Sequence, residues 1–172
     1  MITAELLTKL GASKVLAEKY ASALDNAIHQ YDIDGNKLRV QHFLAQIFHE
    51  SGRLLYNKEL ASGAAYEGRK DLGNTQPGDG VRFKGRGFIQ ITGRANYITM
   101  AKDLAIDCVN HPEMIELPQY AAMSAAWFWS KHGLNALADA DDFQHITKRI
   151  NGGTNGLDDR KHFLDLAKTL LP

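Results

Sequence analysis

Glu50 is the residue whose position most directly suits acid–base chemistry. In QHFLAQIFHES, residues 41–51, Phe43, Ile47 and Glu50 recur at spacings of four and three, so an α-helix places them on one face. The carboxyl group then continues an apolar stripe instead of facing solvent. Partial burial and the negative end of the helix dipole favour the protonated form that a general acid needs near neutral pH. A frayed helix end, with the glutamate turned into water, is the alternative.

Glu59 is a candidate for the second carboxylate. It follows nine residues later in YNKELASG, where a glycine-rich, irregular region begins. A protonated acid on a helix and an ionised carboxylate on a nearby loop form the pair that cleaves glycosidic bonds. Glu67, Glu113 and Glu116 compete for this role, so spacing alone does not identify the base.

The stretch FKGRGFIQITGRANY, residues 83–97, predicts a short strand followed by a helix. In an extended strand the side chains of Gln90 and Thr92 share one face, and those of Ile89 and Ile91 the other. The isoleucines would then seal the core, while the amide and hydroxyl face a cleft. Neutral donors and acceptors of this kind suit sugar hydroxyls, acetamido groups or an attacking water. The neighbouring glycines would let the strand approach a sugar chain, and an ordinary glycine-rich hairpin is the alternative.

Two other kinds of site are disfavoured in this stretch. GRGFIQ has Gln90 where a G-x-G-x-x-G phosphate-binding motif has its last glycine. A local basic patch is formed by Arg82, Lys84, Arg86 and Arg94. The chain nevertheless carries 20 Lys+Arg against 20 Asp+Glu, whereas nucleic-acid-binding proteins usually have a basic excess. We expect no nucleic-acid partner, and the four cations either steer an anionic cell wall or hold loops.

Three features in the second half of the chain have open interpretations. Asn151, in RINGGTNG, lies either at a cleft or in a turn between two helices. Arg160, on the first turn of the last helix, could reach back to the cleft. Trp127 and Trp129 lie on an apolar helix, where tryptophan is more often part of the core than a sugar-stacking residue.

The elements that must position these residues are predicted to be mainly helical. Thr3 and Ser13 are expected to cap the first two helices, and Gly52 to end the helix that carries Glu50. The middle of the chain, residues 60–87, is predicted to be a functional loop because it is rich in glycine and long for a structureless connection. The predicted helices cover residues 4–10, 13–31, 40–51, 94–104, 118–132, 143–150 and 158–171.

Length and composition predict a single domain, residues 1–172. Hydrophobic residues make up 44% of the chain and charged residues 23%, as in ordinary globular proteins. The single cysteine, Cys108, excludes an internal disulfide and fits synthesis in a reducing cytosol. No signal peptide is visible, and the most apolar run, residues 121–129, is too short to span a bilayer. We therefore expect no stable membrane insertion.

The chain resembles glycoside hydrolase family 19. The resemblance rests on HFLAQIFHESG, the glutamate that follows it, the run RFKGRGFIQITGRANY and the later RINGGTNG, and it extends from about Val40 to Arg160. It is strongest toward the short forms that bacteriophages and prophages encode as endolysins. The family implies a mainly α-helical, two-lobed, lysozyme-like fold, here with a small β-hairpin or sheet region around residues 60–92.

The resemblance implies an inverting mechanism that needs no metal or other cofactor. Glu50 resembles the general acid, Glu59 the general base, and Thr92 a residue that helps hold the attacking water. Inversion requires carboxyl groups about 6.5–9.5 Å apart, so that a water fits between the base and the sugar. Gln90 resembles a partner of Thr92 in positioning substrate and water.

Three further residues resemble sugar contacts of the family: Asn96, Tyr97 and Asn151. The implied function is hydrolysis of β-1,4 glycosidic bonds in peptidoglycan glycan strands, for host cell lysis. The protein would act as a monomer and wait in the host bacterial cytoplasm until a separate pore-forming protein releases it to the periplasm and cell wall. Alternatives are a chitinase acting on chitin or chito-oligosaccharides, a non-catalytic sugar-binding relative, and an antibacterial effector toxin.

Overall fold

Nine α-helices form the framework of the protein in a computed structural model that describes residues 1–172. Short 3₁₀ turns occur at Ala64–Tyr66, Lys70–Leu72 and Pro112–Glu116. None of the helices combines the length and hydropathy needed to cross a bilayer. The helices are Ala4–Lys9 (α1), Lys14–Gln30 (α2), Lys37–Glu50 (α3), Asp79–Arg82 (α4), Arg94–Leu104 (α5), Pro118–Lys131 (α6), Leu134–Asp139 (α7), Phe143–Asn151 (α8) and Leu157–Leu170 (α9).

Local capping explains most of these bounds. The hydroxyl of Thr3 accepts a hydrogen bond from the Leu6 N–H and that of Ser13 from the Leu16 N–H, so both predicted caps are confirmed. Helix α3 begins earlier than predicted because the side chain of Asn36 caps it. Helix α7 was not predicted, since it is a short helix without a side-chain cap.

The core consists of two hydrophobic clusters, in agreement with a two-lobed architecture. The larger one gathers side chains of helices α1, α2, α3, α6, α7, α8 and α9. The smaller one packs α5 against the loops before and after it and includes Phe83, Ile91 and Tyr97. Helix α6 belongs to both, because Trp129 lies in the larger cluster and Trp127 in the smaller. The pairs α3–α9 and α2–α6 make the most extensive helix contacts.

The strand predicted over residues 88–92 does not form. The segment is a turn closed by an isolated bridge between Arg86 and Ile91, and a second bridge joins Arg86 to Lys58. The backbone turns because Gly87 and Gln90 both have positive φ, 78° and 58°, which an extended strand excludes. The β region expected around residues 60–92 is thus reduced to two bridges, the second of which reaches back to Lys58.

Glycines in the middle of the chain allow loops to pack closely on one another and on α6. A Cβ at Gly63 would lie 2.5 Å from the carbonyl oxygen of Gly80, and a Cβ at Gly87 would lie 2.3 Å from the Ser124 hydroxyl. Real side chains do not tolerate such distances. The glycines at these two positions therefore serve the packing of the protein on itself, and not the approach of a sugar chain.

Candidate active site

Glu50 is the last residue of α3 and is half-buried, with its side chain 21% exposed. Its Oε1 atom accepts a hydrogen bond from Nη2 of Arg160, which projects from the first turn of α9 and is almost completely buried. Arg160 therefore reaches back from α9 to Glu50, as the sequence suggested it could. The guanidinium supplies the positive charge that a carboxylate at the negative end of a helix otherwise lacks.

Arg160 is itself fixed by two other acceptors. Its Nη1 donates to Oε1 of Gln46 over 2.6 Å, and its Nε donates to the carbonyl oxygen of Asn155 over 3.1 Å. Gln46 lies on α3 one turn before Glu50, and it is fully buried. The guanidinium is thus held between α3 and the loop that precedes α9.

A left-handed turn follows Glu50 and sends the chain toward Glu59. Ser51 caps α3, one residue before the expected Gly52, and accepts a hydrogen bond from the Leu54 N–H over 2.8 Å. Gly52, Arg53 and Leu54 all have positive φ, between 57° and 67°. Such conformations cost about 1–2 kcal/mol for each non-glycine residue, and the buried side chain of Leu54 helps to hold the turn in place.

Glu59 is held in a different way from Glu50. Its Oε1 accepts a hydrogen bond from the Tyr66 hydroxyl over 2.9 Å, and its Oε2 accepts one from the Gly85 N–H over 3.1 Å. Its own N–H donates to the Gly85 carbonyl over 2.9 Å. Burial, followed by the hydrogen bond to Glu59, raises the pKa of Tyr66, so its hydroxyl stays a donor at neutral pH. Glu59 thus receives two hydrogen bonds and has no cation on its carboxylate.

Gln90 lies between Glu59 and the largest cavity of the protein. A Cβ at Gly85 would lie 2.7 Å from Oε1 of Gln90 and 3.3 Å from Oε2 of Glu59, so both oxygens face the same point. The Nε2 of Gln90 donates to the Gly87 carbonyl over 3.0 Å, which orients the amide. Thr92 is anchored nearby through its hydroxyl, which donates to the Gln90 carbonyl over 2.9 Å.

The cavity has a volume of about 510 Å³ and a mixed apolar and polar lining. It contains three of the predicted site residues, Gln90, Thr92 and Asn96, whereas neither Glu50 nor Glu59 lines it. Gln90 connects the two regions, because its Oε1 faces the same point as Oε2 of Glu59 and its side chain also lines the cavity. The remaining lining residues are Leu72, Ile89, Ile91, Thr99, Trp127, Phe128, Lys131, His132 and Ile150.

The three predicted sugar contacts have different surroundings. Asn96 is exposed in the cavity wall, and its amide donates to the Thr92 carbonyl over 2.8 Å. Tyr97 is fully buried, and its hydroxyl donates to the Lys84 carbonyl and accepts from Arg86. Its position therefore gives no support to a sugar contact.

Asn151 ends α8 beside Ile150 of the cavity wall. Its Nδ2 is enclosed and donates to no protein atom. An unpaired buried donor of this kind costs about 1–3 kcal/mol, so an acceptor supplied by a ligand or a water would stabilise it. This is the one predicted site residue with an unused hydrogen-bonding group in the protein interior.

Several residues of the cleft were not predicted. They lie on α6 and at its end, and they are Phe128, Lys131 and His132. The ring of His132 stacks on that of Phe128, with centroids 3.9 Å apart. Trp127 also lines the cavity, but only 5% of it is exposed and its indole N–H donates to Asp103, as expected of a core residue. Tyr66 and Gln46 carry no sequence signal, because their partners are known only once the chain has folded.

The basic patch holds loops together. Arg82 donates to the carbonyls of Val109 and Asn110, and Lys84 donates to the Ala61 carbonyl. Arg86 pairs with Glu116, and Arg94 makes a two-point ion pair with the buried Asp79. Of the two roles left open for these cations, the structure supports the second.

The loop before α9 is locked to the end of α3 by His49. The ring of His49 lies against Gly156, where an added Cβ would come within 2.2 Å of the ring carbon Cε1. Its Nδ1 is 2.7 Å from Oδ2 of Asp159. Gly156 has φ of 71°, so both its conformation and its lack of a side chain are needed there. This contact keeps Arg160 close to Glu50.

No group of three or more His, Cys, Asp or Glu side chains is arranged to hold a metal ion. The site is therefore described by its own acids, amides and hydroxyls. Two carboxylates in distinct environments, next to a cleft lined by neutral donors and acceptors, suit acid–base hydrolysis.

Comparison with known proteins identifies the family. No protein-family model matches the sequence. A glycosyl hydrolase family 19 domain-containing protein of Haemophilus influenzae is 30% identical over 156 residues, which cover 73% of this chain and 76% of the relative. An endochitinase of Arabidopsis thaliana is 37% identical over 142 residues, 78% of this chain and 49% of the relative. The chain thus spans about half the length of that plant enzyme.

Solved structures share the fold over nearly the whole chain. Chitinase C from Streptomyces griseus superposes with a TM-score of 0.81 at 21% identity, covering 99% of this chain and 76% of that one. A class IV chitinase from Zea mays gives 0.73 at 23% identity, covering 87% and 80%. The predicted mainly α-helical, lysozyme-like fold is confirmed. On the evidence of its relatives and its fold, this chain belongs to glycosyl hydrolase family 19, a family of glycoside hydrolases.

Proposed function

We propose that the protein is an endolysin that hydrolyses β-1,4 glycosidic bonds of bacterial peptidoglycan by inverting acid–base catalysis. The observation that supports this most is the different environment of the two glutamates, one beside a buried guanidinium and one beside two neutral donors. One carboxyl group thus lies next to a positive charge and the other does not, an asymmetry that suits two carboxyl groups with separate roles in hydrolysis.

In the proposed mechanism Glu50, protonated, donates its proton to the glycosidic oxygen as the bond to the anomeric carbon breaks. The carboxylate that forms is stabilised by the adjacent Arg160 guanidinium. This attraction is stronger after proton transfer than before it, so it lowers the energy of the transition state relative to the ground state. Arg160 thereby makes protonated Glu50 a more effective proton donor.

Glu59, ionised, accepts a proton from a water that attacks the anomeric carbon from the opposite face. Oε1 of Gln90 faces the same point as Oε2 of Glu59, and Thr92 adds a hydroxyl nearby. These groups are suited to holding that water. Inversion follows from a single displacement. Proton NMR of the freshly released sugar would show the α-anomer first, and initial release of the β-anomer would contradict the inverting mechanism.

Substrate binding is proposed to involve Gln90, Asn96 and the unused amide of Asn151. Neutral amides and hydroxyls in the cavity match the hydroxyl and acetamido groups of amino sugars. The protein is proposed to act as a monomer, without nucleic-acid partner or cofactor. Release from the host cytoplasm to the cell wall by a separate pore-forming protein would complete its role in lysis.

Chitin or chito-oligosaccharide hydrolysis is the second candidate. It is favoured by the plant and bacterial relatives that carry the names endochitinase and chitinase. A non-catalytic sugar-binding role is less favoured, because both glutamates are present and each is held by specific hydrogen bonds. An effector toxin would share the chemistry and differ only in its delivery.

One experiment separates these functions. Purified wild type, Glu50→Gln and Glu59→Gln are incubated with chloroform-permeabilised Gram-negative cells and, separately, with glycol chitin. We expect wild type to clear the cells and both variants to lose about 10³-fold or more in rate. The matched control is Glu113→Gln, an exposed glutamate outside the cleft. Activity on glycol chitin alone would support the chitinase, and full activity of Glu50→Gln would exclude the proposed acid.

A further inference from the structure

A buried row of hydrogen bonds lies behind Glu50. Thr147 of α8 accepts from Nε2 of Gln46 over 3.1 Å, and Oε1 of Gln46 accepts from Nη1 of Arg160 over 2.6 Å. Arg160 then donates from Nη2 to Glu50. Thr147 and Gln46 are completely buried, and Arg160 is only 1% exposed. Three helices, α8, α3 and α9, therefore meet in one ordered chain of contacts that ends at the acid.

The direction of each hydrogen bond in this row is fixed. Arg160 only donates, so Gln46 must present its carbonyl oxygen to the guanidinium. The amide nitrogen of Gln46 is then left to donate, and Thr147 supplies the acceptor. A buried amide oriented at both ends in this way has one favourable rotamer, and it leaves Nη2 of Arg160 free to face Glu50.

Only one of the hydrogen-bond partners of Arg160 is an anion, and that partner is Glu50. The other two acceptors of Arg160, the Gln46 amide and the Asn155 carbonyl, are neutral. Other charges on the packed elements are paired elsewhere or exposed to solvent. His49 pairs with Asp159, Lys161 pairs with Asp165, Arg53 lies over the Phe163 ring, Arg149 donates to the His132 carbonyl, and Lys148 and Asp158 are exposed.

We propose that Gln46 is a positioning residue for the reaction, which orients Arg160 toward Glu50 and, by being neutral, leaves Glu50 as the only counter-ion of that guanidinium. The inference rests on the proposed role of Glu50 as the acid. A glutamate at position 46 would bring a second negative charge to Arg160. The guanidinium would then be shared between two carboxylates, and its attraction for the carboxylate of Glu50 would be weaker.

The test uses two substitutions of similar volume. Gln46→Met removes the acceptor for Arg160 without opening a cavity, so the guanidinium loses its orientation. We expect kcat to fall about 10- to 100-fold with little change in KM, as for other small displacements of catalytic groups. Gln46→Glu keeps the shape and the acceptor. We expect it to retain more kcat than Gln46→Met and to move the basic limb of the pH–rate profile to higher pH.

Gln41→Met is the matched control, because Gln41 is also a buried glutamine of α3 and donates to the Leu171 carbonyl, away from Arg160. It should keep the wild-type kcat and pH profile. Circular dichroism of every variant verifies the fold. If Gln46→Glu shows the wild-type pH profile, or if Gln46→Met loses no more kcat than Gln41→Met, the inference is wrong. If Glu50→Gln is fully active, the proposed function fails instead.

Discussion

At the scale of single residues, the two glutamates differ in the kind of group that holds them. Glu50 faces a buried cation that comes from the far end of the sequence, whereas Glu59 is held by a tyrosine and a backbone N–H from its own loop region. The surroundings of Glu50 thus depend on the packing of α9 on α3. The hydrogen bonds of Glu59 come from residues between 59 and 85.

Tyr66→Phe tests the hydrogen bond that orients Glu59, the proposed base. The substitution removes the hydroxyl that donates to Oε1 of Glu59 and leaves the Gly85 N–H in place. Loss of one hydrogen bond to a charged group corresponds to about 1.5 kcal/mol, so we expect about a tenfold lower kcat with KM nearly unchanged. Steady-state kinetics on a soluble oligosaccharide measure both.

The control for this prediction is Tyr120→Phe, since Tyr120 packs beside the smaller cluster and is not among the hydrogen-bond partners of the Glu59 carboxylate. It should retain wild-type kinetics. An unchanged kcat in Tyr66→Phe would mean that Glu59 needs only the backbone donor, or does not act as the base.

The sequence patterns predicted the position of Glu50 more accurately than the backbone around Gln90 and Thr92. The apolar spacing of Phe43, Ile47 and Glu50 correctly predicted a half-buried carboxyl at the end of a helix. Gln90 and Thr92 do face a common cavity, but for another reason than the one predicted: a left-handed residue at position 90 aims the side chain. Periodicity does not encode such a turn when the residue is not glycine.

At the scale of elements, helix α5 is followed by a capping residue, Ala105, whose left-handed conformation alanine tolerates poorly. Ala105 closes the helix with φ of 53° and ψ of 45°, and its N–H donates to the Ala101 carbonyl. Glycine is the residue that normally occupies this left-handed position.

We expect Ala105→Gly to stabilise the protein by about 0.5–1 kcal/mol, because the relief of strain exceeds the added entropy of the unfolded chain. Denaturant unfolding monitored by circular dichroism measures the change. Ala136→Gly, at an exposed position inside α7, should instead destabilise by a similar amount. Equal effects of the two substitutions would show that the left-handed cap carries no strain.

The ion pair between Asp79 of α4 and Arg94 of α5 should make this part of the fold sensitive to acid. Hydrogen bonds from Arg94 lower the pKa of Asp79 in the folded protein. As pH falls, the unfolded chain therefore takes up this proton first, near the ordinary aspartate value of about 3.9. The contribution of the pair to the free energy of unfolding is complete above that pH, and it is lost as pH falls through the lowered folded value.

Free energies of unfolding measured between about pH 6 and pH 2 should therefore depend less on pH in Asp79→Asn than in wild type. Asp158→Asn removes an exposed aspartate that forms no ion pair, and it should keep the wild-type slope. If the free energy of unfolding of Asp79→Asn depends on pH as strongly as that of wild type, the ion pair with Arg94 is not a source of acid sensitivity.

At the scale of the whole molecule, α6 should make the two lobes unfold together. Trp127 and Trp129 are the only tryptophans, and they report on the smaller and the larger cluster respectively. Phe128, between them, packs against both clusters. A helix shared in this way leaves neither core intact when the other is lost.

Single-tryptophan variants, Trp127→Phe and Trp129→Phe, measure this coupling. In each variant the fluorescence transition in denaturant should coincide with the loss of helix measured by circular dichroism. The comparison is made within each variant, so the stability cost of the substitution does not affect it. A fluorescence midpoint of Trp127 below that of the helix signal would show that the smaller lobe unfolds separately.

The sequence was most informative about helices and least informative about the glycine-rich middle. Caps and apolar periodicity define helices locally, and seven of the nine follow from them. The path of residues 52–93 depends on contacts distant in sequence, such as Arg86 with Glu116 and Asn57 with the Glu116 carbonyl. Local patterns contain no information about such partners.

The contact between Gly156 and the ring of His49 also has a consequence for sequence variation. A ring at position 49 fills the space that any side chain at position 156 would occupy. In a library that varies both positions, survivors with an aromatic or imidazole ring at 49 should retain glycine at 156, and larger residues at 156 should appear only with small ones at 49. Positions 49 and 156, which are far apart in the chain, would therefore co-vary.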